Sequence, residues 1–287
     1  MNTPDLPSDV TGAPARRRSG EATGGDSNSV QKVCAILRAL GAHAPQRLTE
    51  LAASAGLNKV TALRILDTLV QEDFVQRTPD GKAYAPGRES LAFAASQRRP
   101  DDVRELGRAS LVRLAELSGD TALLSVRSGI ESVCVDRHVG SFPIRANYLT
   151  IGSRRPLGVG AGSMALLAFL PDREREAVLG VLGSRLGAYP HVSLDGIETQ
   201  LALARSRGYV LLLDFVIDKM SAIGAPVFDA QGRPIAALSI AALTERIRDR
   251  EEMLSQALLR EADLMRRELV SGLATPVAAG KNRKTTP

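Results

Sequence analysis

Aromatic residues and cysteine are scarce in this chain of 287 residues. Tryptophan is absent and aromatic side chains make up 3% of the sequence, so we expect no platform on which successive single-stranded bases could stack. The composition therefore favours double-stranded over single-stranded nucleic acid. The two cysteines, Cys34 and Cys134, lie far apart in apolar contexts. This excludes a disulfide framework and a metal-ligand spacing, and it predicts a reducing, cytoplasmic compartment.

Long apolar runs are also absent. No run reaches the roughly 18–20 residues that a membrane helix needs, so no membrane partner is predicted. Residues 1–26 are rich in Pro, Gly and Ser and include the run Arg16-Arg17-Arg18, but they lack the apolar segment of a secretory signal. We predict a disordered arm there and a disordered basic tail over residues 274–287.

The remaining composition suits two domains with a basic surface. Hydrophobic residues make up 44% of the chain, the formal net charge is +5 and the isoelectric point is about 9.5. That charge is compatible with a polyanionic partner. We predict one domain over residues 27–87, a linker helix over 88–100 and a second domain over 101–273.

A helix, a glycine turn and a second helix are predicted between residues 48 and 70. Gly56 supplies the positive φ of a sharp turn, and Asn58 is a good N-cap for the second helix. Periodicity predicts that the inner face of this helix consists of Val60, Leu63, Leu66, Leu69 and Val70. The residues left pointing outward are then Lys59, Thr61, Ala62, Arg64 and Thr68. This layout is typical of a helix-turn-helix that reads duplex DNA.

A hairpin is predicted after the second helix. Residues 74–77 and 82–85 alternate like short strands, and Thr78-Pro79-Asp80-Gly81 between them supplies turn chemistry. A hairpin at this position is a wing, in which Arg77 and Lys82 contact phosphates or are plain surface charges.

Residues 101–273 combine helical and strand patterns. Helices are predicted over 103–117, 161–169, 174–182, 194–207 and 248–269. Strands are predicted over 121–127, 131–138, 144–149, 209–215, 221–228 and 234–243. Helices that flank a mostly antiparallel sheet give an α+β domain.

No arrangement of residues supports catalysis. His43, His138 and His191 lie in unrelated contexts, and no metalloprotease, nucleotide-binding or Ser-His-Asp pattern occurs. We therefore predict a protein that is not an enzyme and needs no cofactor. Cys134 lies midway along an apolar strand and is expected to be a core residue.

Four stretches together resemble the IclR family of bacterial transcriptional regulators. They are Ser29–Lys32, Gly56–Thr61, Arg155–Ala168, and Gly224–Asp229 with Ala237–Ile240. The resemblance spans about residues 29–273. It implies a winged helix-turn-helix joined by a helix to a GAF-like effector-binding domain. It also implies a homodimer or dimer of dimers on a palindromic operator, with residues 89–97 and the N-terminal domain as the interface.

Eight residues are candidates for DNA contact. Lys59 and Arg64 can donate to guanine or phosphate, Thr61 can reach a base edge or a phosphate, and Ala62 is small enough to approach a thymine methyl group. Thr49 is expected to cap the preceding helix and bring its N-terminus to a phosphate. The alternative is a solvated helix face. The complete set is Thr49, Asn58, Lys59, Thr61, Ala62, Arg64, Arg77 and Lys82.

The effector site follows from the resemblance, which places a small carboxylate between a glycine-rich turn and the C-terminal strands. Backbone N–H groups of Gly160, Ala161, Gly162 and Ser163 would face the anion at a helix N-terminus. The opposite wall would consist of Leu212, Met220, Ala222, Ser239 and Ala241. Asp214 lies nearby in an alternating strand, and the sequence leaves open whether it faces this wall. Family members that bind small polar acids tend to have an acidic residue and two serines in this wall. Leu212 and Ala241 depart from that pattern, which favours an acid with an apolar or aromatic body unless Leu212 is simply a core residue.

The predicted function is that of a ligand-responsive transcriptional regulator, which controls catabolic genes in response to a small organic acid. The alternative is a small-molecule-binding or enzymatic α+β protein whose N-terminal module mediates protein contacts. A protein-docking helix should expose large apolar anchors, whereas Lys59, Thr61 and Arg64 suit a DNA groove.

Overall fold

The computed structural model describes residues 28–42, 44–96, 103–145 and 149–274. The predicted arm, the boundary at Pro100 and the tail beyond residue 274 lie outside these ranges. None of the helices in the described part of the chain is long and apolar enough to cross a membrane.

The N-terminal part is a winged helix-turn-helix, as predicted. Its elements are α1 (Ser29–Ala42), α2 (Leu48–Ser54), α3 (Lys59–Gln71), β1 (Val75–Arg77), β2 (Tyr84–Pro86) and α4 (Arg88–Ser96). Strands β1 and β2 pair antiparallel and form the wing. Ile36, Leu51 and Leu66 are fully buried at the centre of a core that is separate from the cores of the second domain.

The turn between α2 and α3 follows the sequence-based prediction. Gly56 has a φ of +65°, in the left-handed region that favours glycine. The Asn58 side-chain oxygen accepts a hydrogen bond of 2.8 Å from the backbone N–H of Thr61, which caps α3. This cap fixes the direction in which α3 leaves the turn.

The second domain is α+β, as predicted. Its elements are α5 (Val103–Ser118), β3 (Thr121–Ser128), β4 (Glu131–His138), β5 (Arg154–Pro156), α6 (Ala161–Ala168), α7 (Asp172–Leu182), a 3₁₀ helix (Gly183–Ala188), α8 (Leu194–Arg207), β6 (Val210–Ile217), β7 (Met220–Phe228), β8 (Pro234–Leu243), α9 (Thr244–Arg248) and α10 (Glu251–Ala274). The strands form one antiparallel sheet in the order β5-β4-β3-β8-β7-β6.

Helices cover both faces of this sheet. Helices α5 and α10 pack on one face and α6–α8 pack on the other, each with its own buried core. Alternation along β8 divides its side chains between the two cores: Leu238 and Ile240 face α5 and α10, whereas Ala237 faces α6. Ser239 and Ala241 therefore lie on the α6 side of the sheet.

The strand predicted over residues 144–149 is wrong. Ile144, Arg145 and Leu149 lie in no strand, and residues 146–148 are outside the described ranges. The backbone N–H groups of Gly140 and Phe142 donate to the carbonyl oxygens of Asp120 and Gly119, so the chain after β4 turns back to the α5–β3 corner. The next strand in the sheet is β5, which was not predicted and which pairs with β4.

Candidate DNA-reading face and effector cavity

The outward face of α3 differs from the sequence-based prediction. Ala62 is fully buried with Leu66 and Leu69, whereas Val60 is 71% exposed and Leu63 is 37% exposed. The predicted DNA contact by Ala62 is therefore wrong. Its small side chain lets α3 pack closely against the other helices of the core, and this turns Val60 and Leu63 outward.

The predicted polar residues do lie around this outward face. Lys59 and Arg64 are exposed, and Thr61 is half-buried in the first turn of α3. Val60 and Arg64 are four residues apart and so lie on one stripe of the helix. The helix thus presents basic side chains beside an aliphatic one.

Thr49 does not cap α2, contrary to the prediction. The N-cap is Arg47, whose backbone N–H donates to the Glu50 carboxylate at 2.8 Å, while Thr49 is exposed in the first turn. The Glu50 carboxylate also stabilises the first turn of α2, because it lies at the positive end of the helix dipole.

Of the two basic residues of the wing, Arg77 makes contacts within its own domain. The Arg77 guanidinium lies 3.3 Å from the Asp67 carboxylate on α3 and 5.0 Å from the centre of the Tyr84 ring. Lys82 is exposed in the turn, and Arg47 lines the gap between this turn and α2. Arg47 was not among the residues predicted to contact DNA.

The predicted effector turn borders a cavity of about 40 Å³ between the N-terminus of α6 and the sheet. It is lined by the whole predicted turn, Gly160–Ser163, and by Ala222, Ser239 and Ala241 on the strands. Other lining residues were not predicted: Leu123, Ser125, Ser132, Cys134, Leu149, Ser153, Arg155 and Val159.

Three serine side chains line the cavity and make no side-chain hydrogen bond to the residues that the structure describes. They are Ser125, Ser132 and Ser239, which are 8%, 6% and 4% exposed. A hydroxyl group that borders a cavity can donate to and accept from the molecule that fills it. Three of them around one cavity indicate a place for a polar ligand or for water.

Arg155 is the one charged side chain among the described residues that line this cavity. It lies on β5, and its Nη1 atom is 3.4 Å from the position that a Cβ atom on Gly160 would take. A cation beside a small, hydroxyl-lined space favours an anionic ligand, because charge-assisted hydrogen bonds are stronger than neutral ones.

The glycines of the turn allow the close approach of α6 to this wall. Gly160, the N-cap of α6, has a φ of +93° that side chains rarely adopt. A Cβ atom on Gly162 would lie 3.2 Å from the Ser239 oxygen and 3.3 Å from the Ser125 oxygen. The first turn of α6 therefore faces the same space as these hydroxyl groups, with its positive dipole end toward them. The Ser163 hydroxyl is already used, since it donates to the Pro156 carbonyl oxygen at 2.9 Å.

A second, smaller cavity of about 20 Å³ adjoins the first and is mainly apolar. It shares Arg155, Gly160 and Ala222 with the first cavity. Two predicted residues, Leu212 and Met220, line this second cavity with Phe215, Val216, Ile217 and Ser221. Leu212 is only 2% exposed and also belongs to the core beneath α6, so it packs in the core as well as lining this cavity.

Asp214 does not line either cavity, so the structure does not place it in the predicted wall. Its carboxylate accepts a hydrogen bond from the Thr244 hydroxyl, and its backbone N–H donates to the Ser221 hydroxyl at 3.1 Å. The pairing of β6 with β7 is irregular between Leu212 and Ile217, and Asp214 has a φ of +52° there. Simple alternation fails at this irregularity, which is why the side chain points elsewhere.

Cys134 is buried in the wall of the first cavity. Burial raises the pKa of its thiol to about 11, so the thiol is protonated at neutral pH. A protonated thiol is a weak donor and not a redox-sensing nucleophile, in agreement with its expected place in the core. No group of residues that could hold a metal ion occurs in the described ranges.

Comparison with known proteins assigns both parts of the chain. Residues 29–79 match the family described as "IclR helix-turn-helix domain", and residues 98–265 match "Bacterial transcriptional regulator IclR C-terminal". The glycerol operon regulatory protein of Streptomyces coelicolor is 31% identical over 76% of this chain and 86% of its own length. The regulator KipR of Bacillus subtilis is 28% identical over 81% of this chain and 97% of its own length.

Solved structures show the same architecture. An IclR transcriptional regulator from Alicyclobacillus acidocaldarius aligns with a TM-score of 0.69 at 26% identity, over 85% of this chain and 100% of its own. An IclR homologue from Microbacterium hydrocarbonoxydans, solved with 4-hydroxybenzoate, aligns with a TM-score of 0.68 at 21% identity, over the same shares of the two chains.

These matches decide between the two functions that the sequence left open. Val60 and Leu63 are the exposed apolar residues expected of a protein-docking helix, so the side chains of α3 alone do not separate a DNA-reading module from a protein-docking one. The relatives are named as transcriptional regulators and not as enzymes. The chain belongs to the IclR family and is a DNA-binding transcriptional regulator with a ligand-binding C-terminal domain.

Proposed function

We propose that α3 enters the major groove of an operator and that an organic acid in the hydroxyl-lined cavity controls binding. The observation that carries the effector part is that Arg155 and the three serines Ser125, Ser132 and Ser239 line one cavity. The DNA part rests on the family and on the exposed basic residues of α3. Operator binding makes the cytoplasm the proposed compartment.

Lys59 and Arg64 supply the charge on this face, while Thr49, Asn58 and Thr61 lie near the N-termini of α2 and α3, where N–H groups attract phosphate. Lys82 and Arg47 contact the DNA phosphates from the side of the wing. Arg77 contributes less, because Asp67 neutralises part of its charge.

Salt dependence tests the DNA part. We expect the affinity of the full chain for duplex DNA to fall steeply with salt, because bound cations release counterions from the phosphates. Arg64→Ala should weaken binding by about 1–3 kcal/mol if the contact is bidentate to a base. Arg185→Ala, in the second domain, is the matched control. Equal affinities of the parent and Arg64→Ala would contradict the placement of α3.

We propose that the regulator works as a dimer. Leu91 and Phe93 on α4 are 72% and 65% exposed, and Val30 on α1 is 63% exposed. Large apolar side chains exposed on two helices of one domain are typical of a surface that a second copy covers. A single α3 also reads too few base pairs for an operator, whereas two would read inverted half-sites about one helical turn apart. Leu91→Asp should give a monomer in light scattering, and a Leu91→Asp dimer would contradict this interface.

The two cavities suggest the shape of the effector. The carboxylate would lie near Arg155, Ser239 and the first turn of α6, and the carbon body would extend past Ala222 toward Leu212 and Met220. A buried water needs roughly 10–15 Å³. The first cavity, at about 40 Å³, therefore has room for only a few atoms in the present arrangement of side chains. An acid with an aromatic body would have to extend into both cavities, which Arg155, Gly160 and Ala222 line in common. The Microbacterium homologue with the same fold was solved with such an acid.

Calorimetry on the full chain tests this shape, with benzoate-type acids compared against pyruvate- and glyoxylate-type acids. We expect the aromatic acids to bind more tightly, by about 2 kcal/mol for the extra buried apolar area. Val216→Phe places a larger side chain in the second cavity, which Val216 lines without lining the first, and it should remove that advantage while leaving pyruvate-type binding in place. Tighter binding of the small acids by the parent would confine the effector to the first cavity.

A further inference from the structure

The apolar side chain of Val60 stands among the polar residues of the α3 outer face. It is 71% exposed, more than Leu63 at 37%, and it lies one turn before Arg64 on the same stripe. Lys59 precedes it directly. Together with Leu63, Val60 gives this basic face an apolar area, which a partner that covers the face would bury with a gain in free energy.

The occupant of this face is constrained by its basic neighbours. Lys59 and Arg64 are suited to phosphates and to guanine edges, so the face between them meets the floor of the major groove. Base edges there present hydrogen-bonding groups and a single kind of apolar group, the 5-methyl of thymine. A valine placed against a cytosine or guanine edge would strip water from polar atoms without replacing their hydrogen bonds.

We propose that Val60 selects thymine in each half-site through contact between its methyl groups and the thymine 5-methyl group. The proposal rests on the placement of α3 in the groove given above. Leu63, three residues further along and so beside Val60 on the helix surface, widens the apolar area. The thymine-reading role expected of Ala62 belongs to Val60, because Ala62 is fully buried in the domain core.

Replacing thymine by deoxyuridine tests this contact, since the two bases differ only by the methyl group. The probe is a duplex selected from a random pool by the full chain, with each thymine of one half-site changed in turn to deoxyuridine. Removal of one buried methyl group should weaken binding about fourfold at one or two positions. In Val60→Ala the same deoxyuridine substitutions should change the affinity less than about twofold.

Two control variants separate this contact from general effects. Val181→Ala makes the same change at a valine on α7 that is 48% exposed, and it should keep the deoxyuridine penalty. Arg64→Ala should bind both the thymine duplex and the deoxyuridine duplex more weakly than the parent does. The loss of affinity that deoxyuridine causes should nevertheless stay the same. A penalty that is equal in Val60→Ala and the parent, or selected half-sites without thymine, would overturn the assignment of Val60. An Arg64→Ala variant that binds like the parent would instead overturn the placement of α3, and with it this inference.

Discussion

The proposed DNA-reading face and the proposed effector cavity differ in how many parts of the chain build them. The outer face of α3 comes from one helix, and Val60 and Arg64 are neighbours because of helical geometry alone. The cavity takes Ser125, Ser132 and Ser239 from three different strands and Arg155 from a fourth. The first site is exposed and convex, whereas the second lies between a helix and the sheet and has Arg155 as its one charged side chain among the described residues. The comparison shows that a surface site depends on the phase of one helix and an enclosed site depends on the topology of a whole sheet.

Removal of the Asp120 charge should give the largest loss of stability among these variants. It tests whether the two domains have separate cores that unfold independently. The Asp120 side chain is 1% exposed and pairs with Arg246 at 2.9 Å and Arg250 at 2.7 Å. Asp120→Asn leaves these two cations without their counterion, which should cost the second domain about 3 kcal/mol of its free energy of unfolding. The unfolding transition of the N-terminal domain should not move in calorimetry.

An exposed ion pair gives the control for this variant. Asp263 pairs with Arg266 and Arg267 and its side chain is 38% exposed, so Asp263→Asn should destabilise the second domain far less than Asp120→Asn does. If the unfolding transitions of both domains shifted together in Asp120→Asn, the two domains would unfold as one cooperative unit. That result would contradict the comparison above.

Gly160→Ala tests the backbone that frames the cavity. Gly160 has a φ of +93° and a ψ of 156°, a region that is essentially reserved for glycine. The change should therefore cost about 1–3 kcal/mol in the free energy of unfolding. Gly180→Ala is the control, because Gly180 lies within α7 with no atom within 4 Å of its added Cβ, and this variant should be as stable as the parent or more so. Equal stability of Gly160→Ala and the parent would show that the turn has an alternative conformation.

The wing should give the smallest effect, a change of stability with pH. Hydrogen bonds from the Thr78 hydroxyl and then from the Lys82 backbone N–H hold the pKa of Asp80 below its usual value of 3.8. A lowered pKa means that the folded state favours the charged carboxylate. The stabilisation is complete above about pH 4 and is lost as the pH falls through the folded-state pKa. Denaturant unfolding of the parent and Asp80→Asn from about pH 5 to about pH 3 measures it. The two proteins should differ at the upper pH and converge at the lower one, and a constant difference would contradict this origin.

The sequence predicted the order of nearly all elements, because caps, glycine turns and alternation are local signals. Gly56, Asn58 and the strand at Pro234–Leu243 are examples that the structure bears out. The prediction of which face of α3 is buried was wrong, because α3 has more apolar residues than the core of the domain can cover. Ala62 occupies the closest contact, and Val60 is left outside.

The lining of the proposed effector cavity was predicted in part. Gly160–Ser163, Ala222, Ser239 and Ala241 line it, as the resemblance implied. Ser125, Ser132 and Arg155 could not be predicted without the order of the sheet, since β3, β4 and β5 are far from β8 in sequence. Once that order is known, alternation from Ser239 points to the residues of β3 and β4 that face the same side.

The central claim is that an organic acid binds in the cavity with its carboxylate at Arg155. The most direct test is calorimetric titration of the full chain with its tightest-binding acid and with the neutral primary amide of that acid, repeated for Arg155→Gln. The parent should prefer the acid by about tenfold or more, because a hydrogen bond to a charged group contributes about 1.5–3 kcal/mol. In Arg155→Gln the acid and the amide should bind with similar affinity. A variant that keeps the full preference for the acid would contradict the account, because the carboxylate would then bind to groups other than Arg155.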